Sequence, residues 1–190
     1  MNRRELLKMI AAATGTAMIG GTALSGTALL SGCASRPQTA LVFSDQDILL
    51  LDEVAETILP RTETPGAKDA KVGEFMRVFV TDCYTPEEQV IFHKGLVSLE
   101  ENCQKNYNRS FMALQPNERE AFIGQLDKYA IAQSSTGNTH YFTMVKQLTL
   151  FGFFTSEIGA TQVLRHVSIP GYFDGELPYK PGDRAWATRW

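Results

Sequence analysis

Apolar residues return every three or four positions through most of this chain, and the breaks in that rhythm divide it into helices. Ile48, Leu51, Val54, Ala55 and Ile58 mark the first apolar stripe. Ser44 precedes it as a cap with Asp47 three residues on, and Pro60 ends it. A loop from Arg61 to Ala70, with Pro65 and Gly66, leads to a second helix over about Lys71 to Cys83. There Val72, Phe75, Met76, Phe79 and Val80 share a face. Thr85-Pro86-Glu87-Glu88 is a strong helix start, with Thr as cap, Pro at the first position and Glu at the third. The third helix carries Phe92, Leu96, Leu99, Cys103 and Tyr107 on one side. After the short apolar link Phe111–Leu114, Pro116-Asn117-Glu118 opens a fourth, with Phe122, Ile123, Leu126, Tyr129 and Ala130 inward. Ser134 to Thr139 is a polar loop. A fifth helix spans about His140 to Phe154, with Phe142, Val145, Leu148 and Phe151/Gly152 buried, and a short helical piece over Ser156 to Leu164 follows.

From Ser168 onward Pro and Gly interrupt every period, and almost nothing in the chain alternates as a strand does. The expected fold is all-α, a single bundle of about five helices over residues 44–167 with an irregular aromatic arm over 168–190. That arm holds Tyr172, Phe173, Tyr179, Trp186 and Trp190 and cannot form a core of its own. It either straps the bundle or meets a partner, as aromatic-rich surfaces commonly do. Tyr172, Phe173, Tyr179 and Trp186 are the candidate partner contacts.

The start of the chain follows a different pattern. Arg3, Arg4 and Lys8 precede an apolar run, Met9–Leu30, diluted by glycine and threonine. Arg3-Arg4-x-x-Leu7-Lys8 resembles the twin-arginine export motif, with Leu6 where Phe is preferred. The mild hydrophobicity suits that route better than the general secretory one. A general secretory signal with incidental arginines and an uncleaved membrane anchor stay open beside it. Leu30-Ser31-Gly32-Cys33 resembles the bacterial lipobox, in which the cysteine thiol and the new amino terminus are acylated. Several acyl chains anchor a protein firmly where one is marginal. The alternative is a plain signal cleaved near Ala34. Residues 1–33 read as signal and 34–43 as tether, and the expected address is the periplasm, anchored to a membrane. Ala34 rather than Asp follows the cysteine, which leaves the choice of membrane open.

Composition narrows the partners. A formal net charge of -3 lacks the basic excess of a nucleic-acid binder. With 21% charged and 44% hydrophobic residues, the chain past the signal is an ordinary globular domain. His93, His140 and His166 have no metal-ligand spacing, and no CxxC, CxxCH, G-x-S-x-G or phosphate-binding loop is present. Asp45, Asp47, Glu87 and Glu88 fit first-turn acids favoured by the helix dipole. Thr155-Ser156-Glu157 resembles a cap, and His93 a polar residue on the outer side of the third helix. No catalytic constellation emerges. Cys83 and Cys103 are on the order of 25 Å apart if the third helix is unbroken. A bridge needs Cα atoms within roughly 7 Å, and hence a break near Gly95. Two buried thiols are the simpler reading, and an intersubunit bridge is a third.

Ile58-Leu59-Pro60-Arg61-Thr62-Glu63-Thr64-Pro65-Gly66-Ala67, then Val72-Gly73-Glu74-Phe75, resembles the gluconate 2-dehydrogenase subunit 3 family. Phe111-x-x-Leu114, Gly152 to Gly159, Pro170-Gly171-Tyr172 and Gly182-Asp183-x-x-Trp186-Ala187-Thr188 follow in the family's order. The resemblance implies a small accessory subunit of a membrane-associated periplasmic dehydrogenase. In such complexes a glucose-methanol-choline-type flavoprotein oxidises a sugar, sugar acid or polyol, and a multihaem cytochrome c often passes the electrons to quinone. FAD then belongs to the partner subunit and haem c to a third, with no cofactor in this chain. The small subunit carries the signal read by the twin-arginine translocase for a folded flavoprotein that lacks one. A stand-alone periplasmic lipoprotein with a binding role is the second reading, and an enzyme in its own right the third.

Overall fold

The computed structural model describes residues 42–134, 139–169, 171–172, 174–178 and 180–187. Arg3, Arg4, Leu7, Lys8, Cys33, Phe173 and Tyr179 lie outside them. The described residues form five α-helices: α1 (Asp45–Ile58), α2 (Val72–Cys83), α3 (Pro86–Tyr107), α4 (Pro116–Ser134) and α5 (Tyr141–Thr155). No strand occurs among them, and no helix among them is long and apolar enough to cross a membrane.

The helix starts follow from local chemistry. The Ser44 hydroxyl accepts from Asp47 N–H while the Asp47 carboxylate accepts from Ser44 N–H at 2.9 Å. Thr85 and Glu88 repeat this reciprocal cap on α3. Before α4, the Glu118 carboxylate accepts from Gln115 N–H at 2.8 Å. Each cap satisfies amide donors that a helix end leaves without partners. At the far end of α3 Asn108 takes the left-handed conformation, φ 53°, and its N–H donates to Gln104 O.

α5 is the central helix. Tyr141, Phe142, Met144, Val145, Leu148, Thr149, Gly152 and Phe153 are all buried on it, which leaves little polar face. A helix apolar almost all round belongs in the interior, and α5 packs against each of the other four. The core around it contains Leu51, Val54, Val72, Met76, Val80, Phe92, Leu99, Phe111 and Val145, all without exposed surface. α3 runs unbroken through Gly95, whose open side is occupied by the Tyr141 ring of α5. A Cβ on Gly95 would lie 2.2 Å from Tyr141 Cγ.

Four expectations need correction. Tyr129 is 55% exposed, since the buried line of α4 runs through Phe122, Ile123, Leu126 and Ala130 and leaves Tyr129 to the side. Phe151 is 49% exposed because the inward position at that level is Gly152. His93 is half-buried rather than outward, its ring 4.2 Å from that of Phe43. Cys83 is exposed while Cys103 is fully buried, and both are free thiols.

The thiols should therefore differ in reactivity. Burial, with Glu100 adding a smaller effect, pushes the Cys103 thiol up to about 12, so almost no thiolate forms at neutral pH. Iodoacetamide should label Cys83 in the native protein and reach Cys103 only after denaturant is added. Peptide mass mapping checks this, and rapid native labelling of Cys103 would refute the burial.

Candidate functional site

The carboxylates of α1 build one end of the bundle. Asp52, Glu53 and Glu56 leave the same helix; Glu53 and Glu56 fasten the loop that joins α1 to α2, and Asp52 fastens the start of α2. Glu56 accepts Arg61 N–H and Lys68 N–H, both at 2.9 Å. Asp52 accepts Gly73 N–H at 2.7 Å. Glu53 pairs with Lys68 and also with Arg119 of α4, its side chain only 14% exposed. Within the loop Arg61 pairs with Asp69, and the Asp69 carboxylate also accepts Gly66 N–H at 2.9 Å. The Arg61 guanidinium first, and that amide second, hold the Asp69 carboxyl below its usual range.

Asp52 behaves in the opposite way. Burial dominates the Gly73 hydrogen bond and raises its pKa above the usual value. The folded state then binds the Asp52 proton more tightly than the unfolded chain does. This carboxyl's contribution to stability is fully present below the unfolded pKa and is lost as pH rises through the folded one. Asp52→Asn keeps an acceptor for Gly73 N–H without a charge. It should leave stability at pH 7 unchanged or higher. Asp52→Ala removes the acceptor and should cost about 1–3 kcal/mol. Urea unfolding of both variants checks the pair, and an Asn variant as weak as the Ala variant would refute the assignment.

The C-terminal end of α5 faces this loop. Ser156 caps the helix: its Oγ donates to Phe153 O at 2.7 Å and accepts from Gly159 N–H at 3.0 Å. The piece expected over 156–164 is a single π turn, Gly159–Val163. Ile158 and Gln162 face Arg61–Pro65 and Asp69 across a cavity of about 370 Å³. One turn back, the open side of Gly152 admits the Phe75 ring of α2, where a Cβ would lie 2.5 Å from Phe75 Cδ1. Phe75, Phe79 and Phe151 meet there with ring centres 5.5–5.7 Å apart, and Tyr84 adds a fourth ring 5.7 Å from Phe79. Val78 on α2 is 45% exposed and Phe151 on α5 49%. Such edge-to-face ring clusters are common anchors at protein interfaces.

The family model described as gluconate 2-dehydrogenase subunit 3 matches residues 45–171. The chain belongs to that family. No curated protein and no solved structure gives a significant match. The family's description makes this chain kin to a subunit of a dehydrogenase complex. Three of the sequence blocks that carry the resemblance are neighbours in the fold. The Ile58–Ala67 block forms the fastened loop, Val72–Phe75 supplies Asp52's amide partner and the ring that enters Gly152, and Gly152–Gly159 faces both.

The candidate contacts of the arm divide. Tyr172 is 80% exposed. Trp186 is half-buried, with the Arg165 guanidinium 4.0 Å from the centre of its ring. The ring cluster on α2 and α5 lay unseen in the sequence, since helical periodicity assigns Phe75, Phe79 and Phe151 to the core. The available signal was Gly152 beside Phe151, because a glycine on the inward line leaves its neighbour at the rim.

Among the described residues no three His, Cys, Asp or Glu side chains gather as a metal site. His140 caps α5 through Nδ1, which accepts from Phe142 N–H at 3.2 Å. It also borders a second cavity of about 560 Å³ between α3, α4 and the start of α5. That lining is mostly neutral and polar, with Asn102, Asn106, Gln125 and Gln133 among Tyr129, Phe122 and Leu126.

Proposed function

We propose that this chain is the non-catalytic small subunit of a periplasmic, membrane-associated, flavin-dependent dehydrogenase complex. The complex oxidises a sugar, sugar acid or polyol. This subunit carries the twin-arginine export signal and stabilises the flavoprotein, which holds the FAD. Cys33 adds a lipid anchor, and where the complex has a third subunit it is a multihaem cytochrome c. The observation that carries the reading is the family match over 45–171, spanning the bundle and reaching Tyr172's neighbour in the arm.

The residues support it in two ways. Arg3, Arg4, Leu7 and Lys8 fit a route that moves folded, cofactor-loaded cargo, and this chain has the signal without a cofactor motif of its own. The exposed rings of Phe151, backed by the half-buried Phe75 and Phe79, and of Tyr172 offer apolar area of the kind found at protein interfaces. A free-standing binding lipoprotein would call for an apolar, ligand-sized pocket. The larger cavity instead mixes carboxamides and hydroxyls in comparable share with the apolar surface of Phe122, Leu126, Tyr129 and Tyr141.

The test is co-purification from the native membrane. Affinity capture of this chain should bring down a flavoprotein with a dinucleotide-binding start and no signal peptide, in equal amount. A chain that elutes alone under mild detergent would sink the proposal.

A further inference from the structure

After the π turn the chain leaves the bundle at Arg165 and returns to the same residue some twenty positions later. Arg165 N–H donates to Ala185 O at 2.7 Å, and Ala187 N–H donates to Arg165 O at 3.0 Å, forming a small parallel bridge. The Arg165 guanidinium lies over the Trp186 ring at 4.0 Å. Beside it Arg184 Nη1 donates to Thr161 O and Gln162 O at 3.3 and 2.8 Å. Carbonyls at the end of a helical turn carry partial negative charge, so a cation is well placed there.

Between these ends the loop is turned locally. Asp174 Oδ1 accepts Glu176 N–H at 3.0 Å. Lys180 N–H donates to Asp183 Oδ2, and Asp183 N–H to Lys180 O, both at 3.0 Å, with Gly182 at φ 95°. Outward from the loop stand Ile169, 87% exposed, Tyr172, 80%, and Leu177, 49%. Closing a loop of this length loses chain entropy that apolar residues facing solvent do nothing to offset. The stacked cation, the bridge and the Arg184 bonds are contacts among the described residues that help offset it.

We propose that the Arg165–Trp186 contact is a clip that ties the two ends of the arm together and so presents Tyr172, Ile169 and Leu177 to the dehydrogenase subunit. Trp186 is then a positioning residue and not itself a contact of the partner. The inference rests on the reading of the arm as a partner surface.

The experiment is limited chymotrypsin digestion of the full chain, which reads cleavage after Tyr172, alongside co-purification of the flavoprotein. Digestion of a locally opening segment tracks the population of its open form. Trp186→Ala and Arg165→Ala should be cut about two- to fivefold faster than the native chain, the factor expected for losing an exposed cation–π pair. Trp186→Phe, which keeps an aromatic face, should stay near the native rate. Both Trp186→Ala and Tyr172→Ala should retain less flavoprotein, with helical circular dichroism unchanged. An unchanged cleavage rate in Trp186→Ala overturns the clip. So does partner loss without faster cleavage, which would make Trp186 a direct contact. Faster cleavage with undiminished flavoprotein in both Trp186→Ala and Tyr172→Ala leaves the clip standing and overturns the arm as partner surface.

Discussion

Replacing Arg3 and Arg4 together by lysine should leave this chain, and the flavoprotein with it, in the cytoplasm. Lysine keeps the positive charge at both positions. A general secretory signal needs only that charge, held on the cytoplasmic side during insertion, and would tolerate the change. A receptor that reads the planar guanidinium fork would not, since an ammonium cannot reproduce its paired donors. The amount of both subunits outside the cytoplasm should fall to that of a chain lacking residues 2–32. Fractionation and immunoblotting of the two proteins, with dehydrogenase activity in each fraction, gives the answer. Unimpaired export of both would exclude the twin-arginine route. Retention of this chain while the flavoprotein still leaves would exclude its role as carrier.

Glu53→Ala should have the largest effect on the fold itself. One carboxylate joins three parts of the molecule: α1, Lys68 in the loop before α2, and Arg119 at the start of α4. Arg119 is held by more than that pair. It donates to Phe111 O at 3.3 Å and to Met112 O at 2.7 Å, with its guanidinium 5.7 Å from the centre of the Phe111 ring. Its side chain is only 17% exposed. Removing Glu53 leaves that cation largely desolvated without a counter-charge, which is the expensive way to break a pair. The expected loss is about 3 kcal/mol, near the low end for buried pairs because both groups keep some contact with water. For a domain of this size that lowers Tm by roughly 6–12 °C. Glu53→Gln keeps the acceptor oxygen and should lose about half as much. Calorimetry on the three proteins checks it. A Glu53→Ala variant within about 1 °C of the native Tm would show that the pair contributes no more than an ordinary surface salt bridge.

These predictions sit on opposite sides of what the sequence discloses. The helices were readable because each is announced locally. Ser44 with Asp47 and Thr85 with Glu88 write reciprocal caps within four residues, and the apolar stripe that follows needs no knowledge of the partner. The family was readable for a similar reason, since the Ile58–Ala67 block is contiguous. The errors fall where one residue's position depends on another helix. Tyr129, Phe151 and His93 each lie within a step of an apolar stripe. Phe75 of α2 fills the open side of Gly152 and leaves Phe151 at the rim, and Phe43 covers His93; neither phenylalanine is visible from the helix it packs on.

What the sequence determined by itself is the all-α class, the helix starts, the family and the expectation of an export signal, all carried by short-range pattern. What only the tertiary structure decided is which distant residues meet. Glu53 finds Arg119 66 positions away, Asp52 fastens Gly73, and Trp186 returns to Arg165. The two cysteines part into one exposed thiol and one buried thiol. Charge pairing, burial and the shift of a pKa depend on distance in space and on desolvation. Neither can be read from separation along the chain once helices pack side by side.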